Sequence, residues 1–534
     1  MNKRAYISAD GVIGNKPGFS SAKEIVAELD RLGICQTVME FTPTSSALFR
    51  NQNLLDELAT VPEAKDRIIP SFSLDMCIAY QRDGIEKLRN LLKTHRPCCV
   101  SIRPAAASHR LRAIDLVLDQ ISDLVSVAFV DYGQISKHDA AGDDMVYLAN
   151  RYPHMAFVLR QFIHAGTPFV FDTVRRAKNI YMNISRLHTM DAVDVACTHL
   201  GVEKVLFGFG RRGDNGACMA AVEYANISDE DKDRICHGNF ISLFQEEADR
   251  EVLKKNLKVM DNHVQNSLWT PFILGKGVTD AEIYDCHTHL GYTAGYGYVL
   301  DLTYPDQIKN YKKHMELFNI KTFVSTATGC QDPIRTMKEA EKYVLDAGAG
   351  FKGYVYYNPK WEEVYTDEYL AERFATGYYV GLKTLPHYMG TAITDKSYER
   401  MFQYAHDHNM PILIHTDAGP VGNPLLCAEM AARYPNAKVI LGHSGLGDKG
   451  REMCHTVAQN PAYNNVYFEN CGTFCSEIRL EESLKIIDYR RFLYGTDAPI
   501  HSIVWELGRL LSADIPDEQM KAILGGNTKK LFGF

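Results

Sequence analysis

The sequence has no C-x-x-C pair, no long run of basic residues and no apolar stretch of the length needed to span a bilayer. Each absence excludes a class of protein. The thirteen cysteines are odd in number and scattered, with only Cys98 and Cys99 adjacent, which points to free thiols in a reducing cytoplasm rather than a disulfide framework. A net charge of −8 without a basic run argues against nucleic acid or an anionic membrane as the main partner. No membrane span is expected. After Met1-Asn2-Lys3-Arg4 the chain goes directly into strand-like sequence, so no secretory signal is expected either. What remains is the composition of a soluble globular protein, 46% hydrophobic and 23% charged, in 534 residues. That length is too great for one core and predicts two or more domains.

The first half alternates strand-like and helix-like segments. Strands are predicted at Arg4–Asp10, Gln36–Thr42, Arg67–Leu74, Pro97–Pro104, Leu124–Gly133, His154–Gln161, Asn179–Ser185 and Lys204–Gly210. Amphipathic runs lie between them, such as Ser21–Leu32 with Ile25, Leu29 and Leu32 on one face. Eight strands with intervening helices predict a (β/α)₈ barrel of the TIM type over residues 1–245. Residues 246–281, charged at first and then without a clear period, are expected to form a connector. Residues 282–534 repeat the alternation, with strands predicted at Ile283–Leu290, Thr322–Ala327, Lys352–Pro359, Tyr378–Pro386, Pro411–Thr416, Lys438–Ser444, Asn465–Cys471 and Phe492–Ala498.

The halves also share sequence. Leu148-Ala149-Asn150-Arg151-Tyr152-Pro153 matches Met430-Ala431-Ala432-Arg433-Tyr434-Pro435, and Asn179-Ile180-Tyr181 matches Asn465-Val466-Tyr467. Val205-Leu206-Phe207-Gly208 matches Phe492-Leu493-Tyr494-Gly495, and Gly238-Asn239 with Leu243-Phe244 matches Gly526-Asn527 with Leu531-Phe532. The four pairs keep their order at offsets of 282, 286, 287 and 288 residues. This is the mark of a tandem duplication of one α/β barrel.

Parallel barrels carry their chemistry at the C-terminal ends of the strands. In the second half His287 and His289 stand two apart on the first strand, so both point to one face and can close on one ion. Lys383 lies on the fourth strand, His415 ends the fifth, His443 the sixth and Asp497 the eighth. The last three each follow an apolar run: Ile412-Leu413-Ile414, Val439-Ile440-Leu441-Gly442 and Phe492-Leu493-Tyr494. Imidazole and carboxylate ligands suit zinc and similar divalent ions.

These residues resemble the amidohydrolase superfamily, closest to its amidohydrolase-2 group. The resemblance is carried by Asp285-Cys286-His287-Thr288-His289-Leu290-Gly291, Gly381-Leu382-Lys383, Pro411-Ile412-Leu413-Ile414-His415-Thr416, Val439-Ile440-Leu441-Gly442-His443-Ser444-Gly445 and Tyr494-Gly495-Thr496-Asp497-Ala498-Pro499, with the terminal Gly526-Asn527 and Leu531-Phe532. It implies a divalent ion, zinc above others, held by His287, His289, His415 and Asp497, which lowers the pKa of a bound water toward ~7. Asp497 then ligates and shuttles the proton, and His443 orients the substrate or an oxyanion. Two metals are implied if Lys383 is carbamylated, with His415 and His443 on the second ion; an unmodified Lys383 would instead bind a substrate carboxylate.

Blander readings stand beside these. His443 alone reads equally as a core histidine, and Lys383 as a side chain snorkelling from a strand end. His387, His406, His408 and His501 are given no ligand role, with His501 near enough to the eighth strand for the rim. Glu469 and Asn470 read as groups behind the ligands. Tyr292, Tyr296, Tyr298 and Tyr304, interleaved with glycines, read either as a substrate lid or as a loop packed by its own tyrosines.

The first half lacks the H-x-H pair, with Tyr6-Ile7-Ser8-Ala9-Asp10-Gly11 in its place. Arg103 is aligned with Lys383, Gln161 with His443 and Gly210 with Asp497, and Val127-Ala128-Phe129-Val130-Asp131 has no histidine. This barrel is expected to be catalytically silent, either a structural stand-in for the second subunit of a homodimer or an anion site built from Arg103, Arg160, Arg211 and Arg212. The whole chain reads as a cytoplasmic metal-dependent hydrolase cleaving an amide, lactone or ester of a small carboxylated molecule, compatible with homo-oligomers. The alternative is a metal-dependent non-oxidative decarboxylase or other lyase. A binding protein made of two dead barrels is disfavoured by the intact set of ligand types in the second half.

Overall fold

The computed structural model describes residues 2–14, 21–42, 46–107, 109–133, 135, 140–160, 166–208, 215–291, 303–327, 332–472 and 480–534. It divides into two compact units, Met1–Val264 and Gln265–Phe534. Each is one parallel sheet with helices between its strands.

In the first unit the strands are β1 (Ile7–Ser8), β2 (Val12–Ile13), β3 (Gln36–Phe41), β4 (Ile68–Leu74), β5 (Cys99–Ile102), β6 (Val127–Asp131), β7 (Ala156–Arg160), β8 (Ile180–Asn183) and β9 (Val205–Leu206). They run β1-β3-β4-β5-β6-β7-β8-β9. The sequence did not predict β2, which pairs with β3 beyond β1, so β1 and β2 form one broken first strand. Ala9 N donates to Phe207 O at 2.9 Å, joining the first strand to the chain just past the last. In the second unit β10 (Ile283–Leu290), β11 (Ile320–Ala327), β12 (Phe351–Tyr356), β13 (Tyr379–Thr384), β14 (Pro411–His415), β15 (Lys438–Gly442), β16 (Val466–Glu469) and β17 (Phe492–Leu493) pair in sequence order. Closure is fuller here: Cys286 N donates to Tyr494 O at 3.0 Å, Asp497 N to His287 O at 2.7 Å and His289 N to Ala498 O at 2.6 Å. The chain is thus two tandem TIM-type barrels.

The strands form because their apolar runs are covered on both faces, inside by the barrel and outside by helices. Cys286, Val324, Tyr354, Leu413, Ile440 and Leu493, one from each of six strands, meet in the interior with Leu531 beneath them. The helix predicted after Ser21 runs Ala22–Leu32, buries Ile25, Leu29 and Leu32, and is capped by Ser21 Oγ accepting from Glu24 N. It ends at Gly33, whose φ of 71° and 2.5 Å approach of Asn2 Nδ2 to a would-be Cβ leave no room for another residue.

The repeated asparagines explain why the duplication stayed legible. Asn179 Nδ2 donates to the carbonyls of Ala149, Tyr152 and Met155 at 3.0, 3.2 and 2.8 Å. Asn465 Nδ2 does the same to Ala431, Tyr434 and Ala437 at 2.9, 3.3 and 2.8 Å. Asn239 Nδ2 donates to Val202 O and Val205 O, each at 2.8 Å, and Asn527 Nδ2 to Tyr489 O and Phe492 O, each at 2.8 Å. Each amide donates to carbonyls at a helix end or a strand start.

Residues 246–281, read from sequence as a connector, are shared between the units. Helix Glu247–Lys255 places Leu253 in the core of the first barrel, while Trp269–Ile273 belongs to the second unit. The eleven cysteines among the described residues form no disulfide. No described helix is long and apolar enough to cross a membrane.

Candidate metal centre

The C-terminal strand ends of the second barrel bring the predicted residues into one mouth. Strand β10 presents His287 and His289, β13 presents Lys383, β14 ends on His415 and β16 on Glu469, while His443 and Asp497 stand just past β15 and β17. His287 Nδ1 donates to Glu469 Oε2 at 2.9 Å, and Lys383 Nζ lies 2.8 Å from His287 Nε2. His289 Nε2 is 2.8 Å and His287 Nε2 3.5 Å from Asp497 Oδ1. The His443 ring centroid is 4.8 Å from that of His287 and 4.6 Å from that of His415. His287, Lys383 and Glu469 are fully buried, and His289, His443 and Asp497 are buried to within a few per cent.

The backbone is strained where the chemistry would be. His443 and Asp497 have φ of 63° and 59°, and Ser444 and Leu446 have φ of 43° and 47°. Left-handed conformations of non-glycine residues cost on the order of 1–3 kcal/mol each and gather at functional sites. The surroundings over-determine them. His443 N donates to Glu469 Oε2 at 3.0 Å, Ser444 Oγ to Glu469 O at 2.9 Å and Gly445 N to Thr416 Oγ1 at 2.9 Å. The eighth strand, predicted to run to Ala498, pairs with β16 only as far as Leu493; beyond it the chain stays bonded to β10, interrupted by the left-handed Asp497, whose side chain enters the mouth.

Electrostatics suit a cation. Burial, and then the Lys383 charge, hold His287 well below its ordinary value, and burial followed by His443 does the same to His415. Burial lowers His443 to about 4. Burial would raise Asp497, but the His289 hydrogen bond and the neighbouring imidazoles outweigh it and keep the carboxylate well below its usual range. Burial also brings Lys383 down to about 8, although Asp497 pulls the other way. At neutral pH Asp497 is therefore ionised and the rings of His287, His415 and His443 neutral, the state in which these groups ligate.

The residues fit a divalent ion. Ligand atoms of His287, His289 and Asp497 lie within 4.8 Å of one another. His289 Nδ1 is a buried nitrogen with no hydrogen-bond partner, a costly state for a polar atom unless something occupies it at another stage. His415 joins the mouth through its contact with His443 and is half-buried.

Two groups given no ligand role from sequence are also here. Cys471 Sγ lies 3.4 Å from His287 Nδ1 and 3.5 Å from His443 Nδ1. His501 is buried, with Nδ1 3.6 Å from Glu506 Oε1, and Gly472 faces both it and His443. A lone cysteine carried no signal of its own, and His501 was marked only by its place past the eighth strand, near the rim. His387 sits exposed with Nδ1 3.0 Å from Asp417 Oδ2, and His408 stacks on Tyr404 at 4.1 Å. Tyr304 starts a helix and stacks on Tyr343 at 5.2 Å; Tyr292, Tyr296 and Tyr298 lie outside the described residues.

The first barrel answers this mouth with an ion cluster. Ladder register puts Asp131 at the level of His415, because each pairs with the last residue of the next strand, Arg160 and Gly442. Register also corrects one alignment: Ser101 pairs with Phe129 as Lys383 pairs with Leu413, so Ser101 is level with Lys383 and Arg103 lies two residues beyond it. Arg160 is fully buried and bonds Asp131 at 2.8 Å, Asp10 at 3.1 Å and Glu40. Arg103 bonds Glu40 at 2.6 Å and Asp131 at 2.6 Å. Three carboxylates thus meet two guanidiniums, with no positive charge to spare. The anion site expected at Arg103 and Arg160 is not there, because the barrel supplies their counter-ions itself. Arg211, Arg212, Gly210 and Gln161 lie outside the described residues.

A parallel barrel with histidines, a lysine and an aspartate gathered at the C-terminal strand ends is the architecture of a barrel hydrolase or lyase. The sequence profile of the amidohydrolase family matches residues 284–534, and this half of the chain belongs to that family, as an enzyme of the amidohydrolase superfamily. Comparison with curated proteins gives no match. Among solved structures, the chain is similar to a putative amidohydrolase from Staphylococcus aureus at 13% identity, over 45% of this chain and 98% of that one, with a TM-score of 0.36. It is similar to a 5-carboxyvanillate decarboxylase from Sphingomonas paucimobilis at 12% identity, over 46% and 99%, with a TM-score of 0.36. It is also similar to a dihydroxybenzoic acid decarboxylase from Polaromonas, solved with manganese and an inhibitor, at 16% identity over 47% and 97%, with a TM-score of 0.37. Likenesses this distant carry no argument about activity.

Proposed function

We propose that the second barrel is a metal-dependent hydrolase acting on an amide, lactone or ester of a small carboxylated molecule, with His287, His289, His415 and Asp497 holding one divalent ion, zinc by the character of the donors. The observation that carries the reading is the placement of Asp497: an ionised, buried carboxylate 2.8 Å from His289 Nε2, on strained backbone, beside the imidazoles of the other strand ends. A divalent ion held there supplies Lewis acidity and brings the deprotonation of water toward neutral pH. Asp497 is placed to accept that proton at Oδ1 and return it to the leaving group. His443, fixed at its backbone, faces the same space; its Nδ1–H is directed at Cys471 O at 3.2 Å, so in the neutral ring Nε2 is an acceptor that orients the substrate. Lys383, brought down to about 8 by burial, carries either a positive charge for a substrate carboxylate or, as the free amine, the capacity to form a carbamate that would serve a second ion.

The test uses the full-length, zinc-loaded protein against a panel of carboxylated lactones, amides and esters, following ring opening or acid release together with carbon dioxide. Hydrolysis without carbon dioxide is the expected result. Carbon dioxide release without hydrolysis would replace this reading with a decarboxylase. Metal content per chain and the intact mass of Lys383 decide between one ion and two: one ion with an unmodified lysine is expected to be the resting state.

A further inference from the structure

We propose that Glu469 is the positioning residue of this centre, fixing the tautomer and ring plane of His287 and holding the backbone of His443 with the same oxygen. The inference rests on the metal-site reading above. Glu469 Oε2 already accepts from His443 N, and as a carboxylate oxygen it accepts from His287 Nδ1, 2.9 Å away, so that Nδ1 carries the ring proton and Nε2 keeps its lone pair. That lone pair faces Lys383 Nζ at 2.8 Å and Asp497 Oδ1 at 3.5 Å, toward the ion's place. The same Oε2 accepts from His443 N at 3.0 Å, tying down the residue whose φ is 63°. One carboxylate therefore orients a ligand and a candidate catalytic group together. Its other oxygen, Oε1, is buried without a partner. A buried carboxylate half-satisfied in this way costs stability, so its presence calls for a reason beyond packing.

The first barrel supplies an internal control. Ala9 N bonds Phe207 O as Cys286 N bonds Tyr494 O, and Phe207 is the repeat partner of Tyr494. Asp10 is therefore level with His287. Ladder registers make Asn183 level with Glu469: Met182 pairs with Leu159 and Phe468 with Leu441, one residue before each. Ser185 then stands for Cys471 and Gly208 for Gly495. The packing agrees. A Cβ on Gly208 would meet Asn183 Nδ2 at 3.0 Å and Asp10 Cβ at 3.3 Å; one on Gly495 would meet Glu469 Oε1 at 2.6 Å and His287 Cβ at 2.7 Å. Ser185 Oγ lies 2.9 Å from Asp10 Oδ2 and 2.6 Å from Asn183 Oδ1. Where there is no imidazole to orient, the carboxylate is replaced by the amide of Asn183, one methylene shorter. A glutamate there would face Asp10 with like charge, while an amide at 469 would orient His287 less firmly. The two copies of one site thus differ at this position in step with the histidine.

A rival arrangement exists on the same side. His287, His443, Glu469 and Cys471 also place one ligand atom each within 4.8 Å, which would make Glu469 and the thiol ligands themselves. That requires His287 to turn its Nδ1 from proton donor to ligand, so the two arrangements predict opposite tautomers.

The experiment uses full-length wild type, Glu469→Gln and Glu469→Asp. Cobalt and zinc affinities are measured by chelator competition, the cobalt spectrum is recorded, and ¹⁵N-histidine NMR of the metal-free protein reports the His287 tautomer. Expected are an Nδ1–H tautomer in wild type, a cobalt spectrum without a thiolate charge-transfer band, metal binding weaker by roughly 10–100-fold in Glu469→Gln, and partial recovery in Glu469→Asp. Wild-type affinity together with a wild-type tautomer in Glu469→Gln would overturn the inference and leave the metal site standing. A thiolate band, or an Nε2–H tautomer in wild type, would overturn it in favour of the rival ligands. A wild type that takes up no divalent ion would overturn the metal-site reading itself.

Discussion

His287→Ala and Asp497→Asn are each expected to leave the protein folded but without tightly held metal, and to lower kcat/KM by more than ~100-fold. The figure follows from a comparison of shells: removing a group that merely supports a ligand costs about 10–100-fold, and these two residues supply the ligand atoms. His287 Nε2 and Asp497 Oδ1 are 3.5 Å apart and Asp497 Oδ1 is 2.8 Å from His289 Nε2, so a substitution at either position removes a corner of the His287–His289–Asp497 triad. Asn at 497 keeps the shape and loses the charge and the proton acceptor together. Metal analysis after dialysis and steady-state kinetics provide the check, with Asp10→Asn in the first barrel as the companion variant. Asp10 occupies the level of His287 yet is engaged by Arg160 and Ser185, and its loss is expected to leave metal content alone. Full metal retention in Asp497→Asn, or a stoichiometric ion in the first barrel, would dismantle the assignment.

The second large effect is in the first barrel and concerns stability. Arg160→Met is expected to destabilise that unit by about 3–5 kcal/mol at neutral pH, the range for removing one partner of a buried ion pair. Arg160 is fully buried and bonds three carboxylates on three different strand segments. Without it, Arg103 alone would face Asp10, Glu40 and Asp131. The effect has a pH signature. Burial would raise Glu40, but Arg103 and Arg160 outweigh it and hold the carboxyl at about 2, against an ordinary 4.5. A depressed carboxyl contributes stability that is present above its unfolded pKa and lost as pH falls through the folded one. The Glu40 share of the difference between wild type and variant should therefore be full above pH ~4.5 and be lost as pH falls through about 2. Denaturant unfolding with hydrogen exchange of the β3, β6 and β7 amides measures it. A difference independent of pH would mean that Arg160 acts through packing alone.

The duplication and the site were legible from sequence for the same reason. Strand ends in a parallel barrel follow buried apolar runs, so Ile412-Leu413-Ile414 before His415 and Val439-Ile440-Leu441 before His443 mark both the element and the residue aimed into the mouth. The repeat survived at Asn179 and Asn465, and at Asn239 and Asn527, because each amide donates to two or three backbone carbonyls at a helix end or strand start. Arg103 was matched to Lys383 by strand position in the sequence, and the ladder moved it by two residues, since the register of a parallel pair is set by its neighbours. The arginines of the first barrel looked available because sequence displays charges without their partners.

By itself, then, the sequence determined two barrels, the strand that carries each candidate ligand, and the histidines and aspartate that meet at one end. Those are properties of local periodicity, and a side chain's face on a strand is decided within a few residues of it. Only the tertiary structure decided that Glu469 proton-locks His287 from 182 positions away, that Cys471 and His501 border the same space, that Asp497 reaches it from a left-handed residue past a two-residue strand, and that Arg160 is enclosed by Asp10, Glu40 and Asp131. Each of these depends on which strand ends become neighbours when the sheet closes, and that closure is a property of the whole barrel rather than of any segment of it.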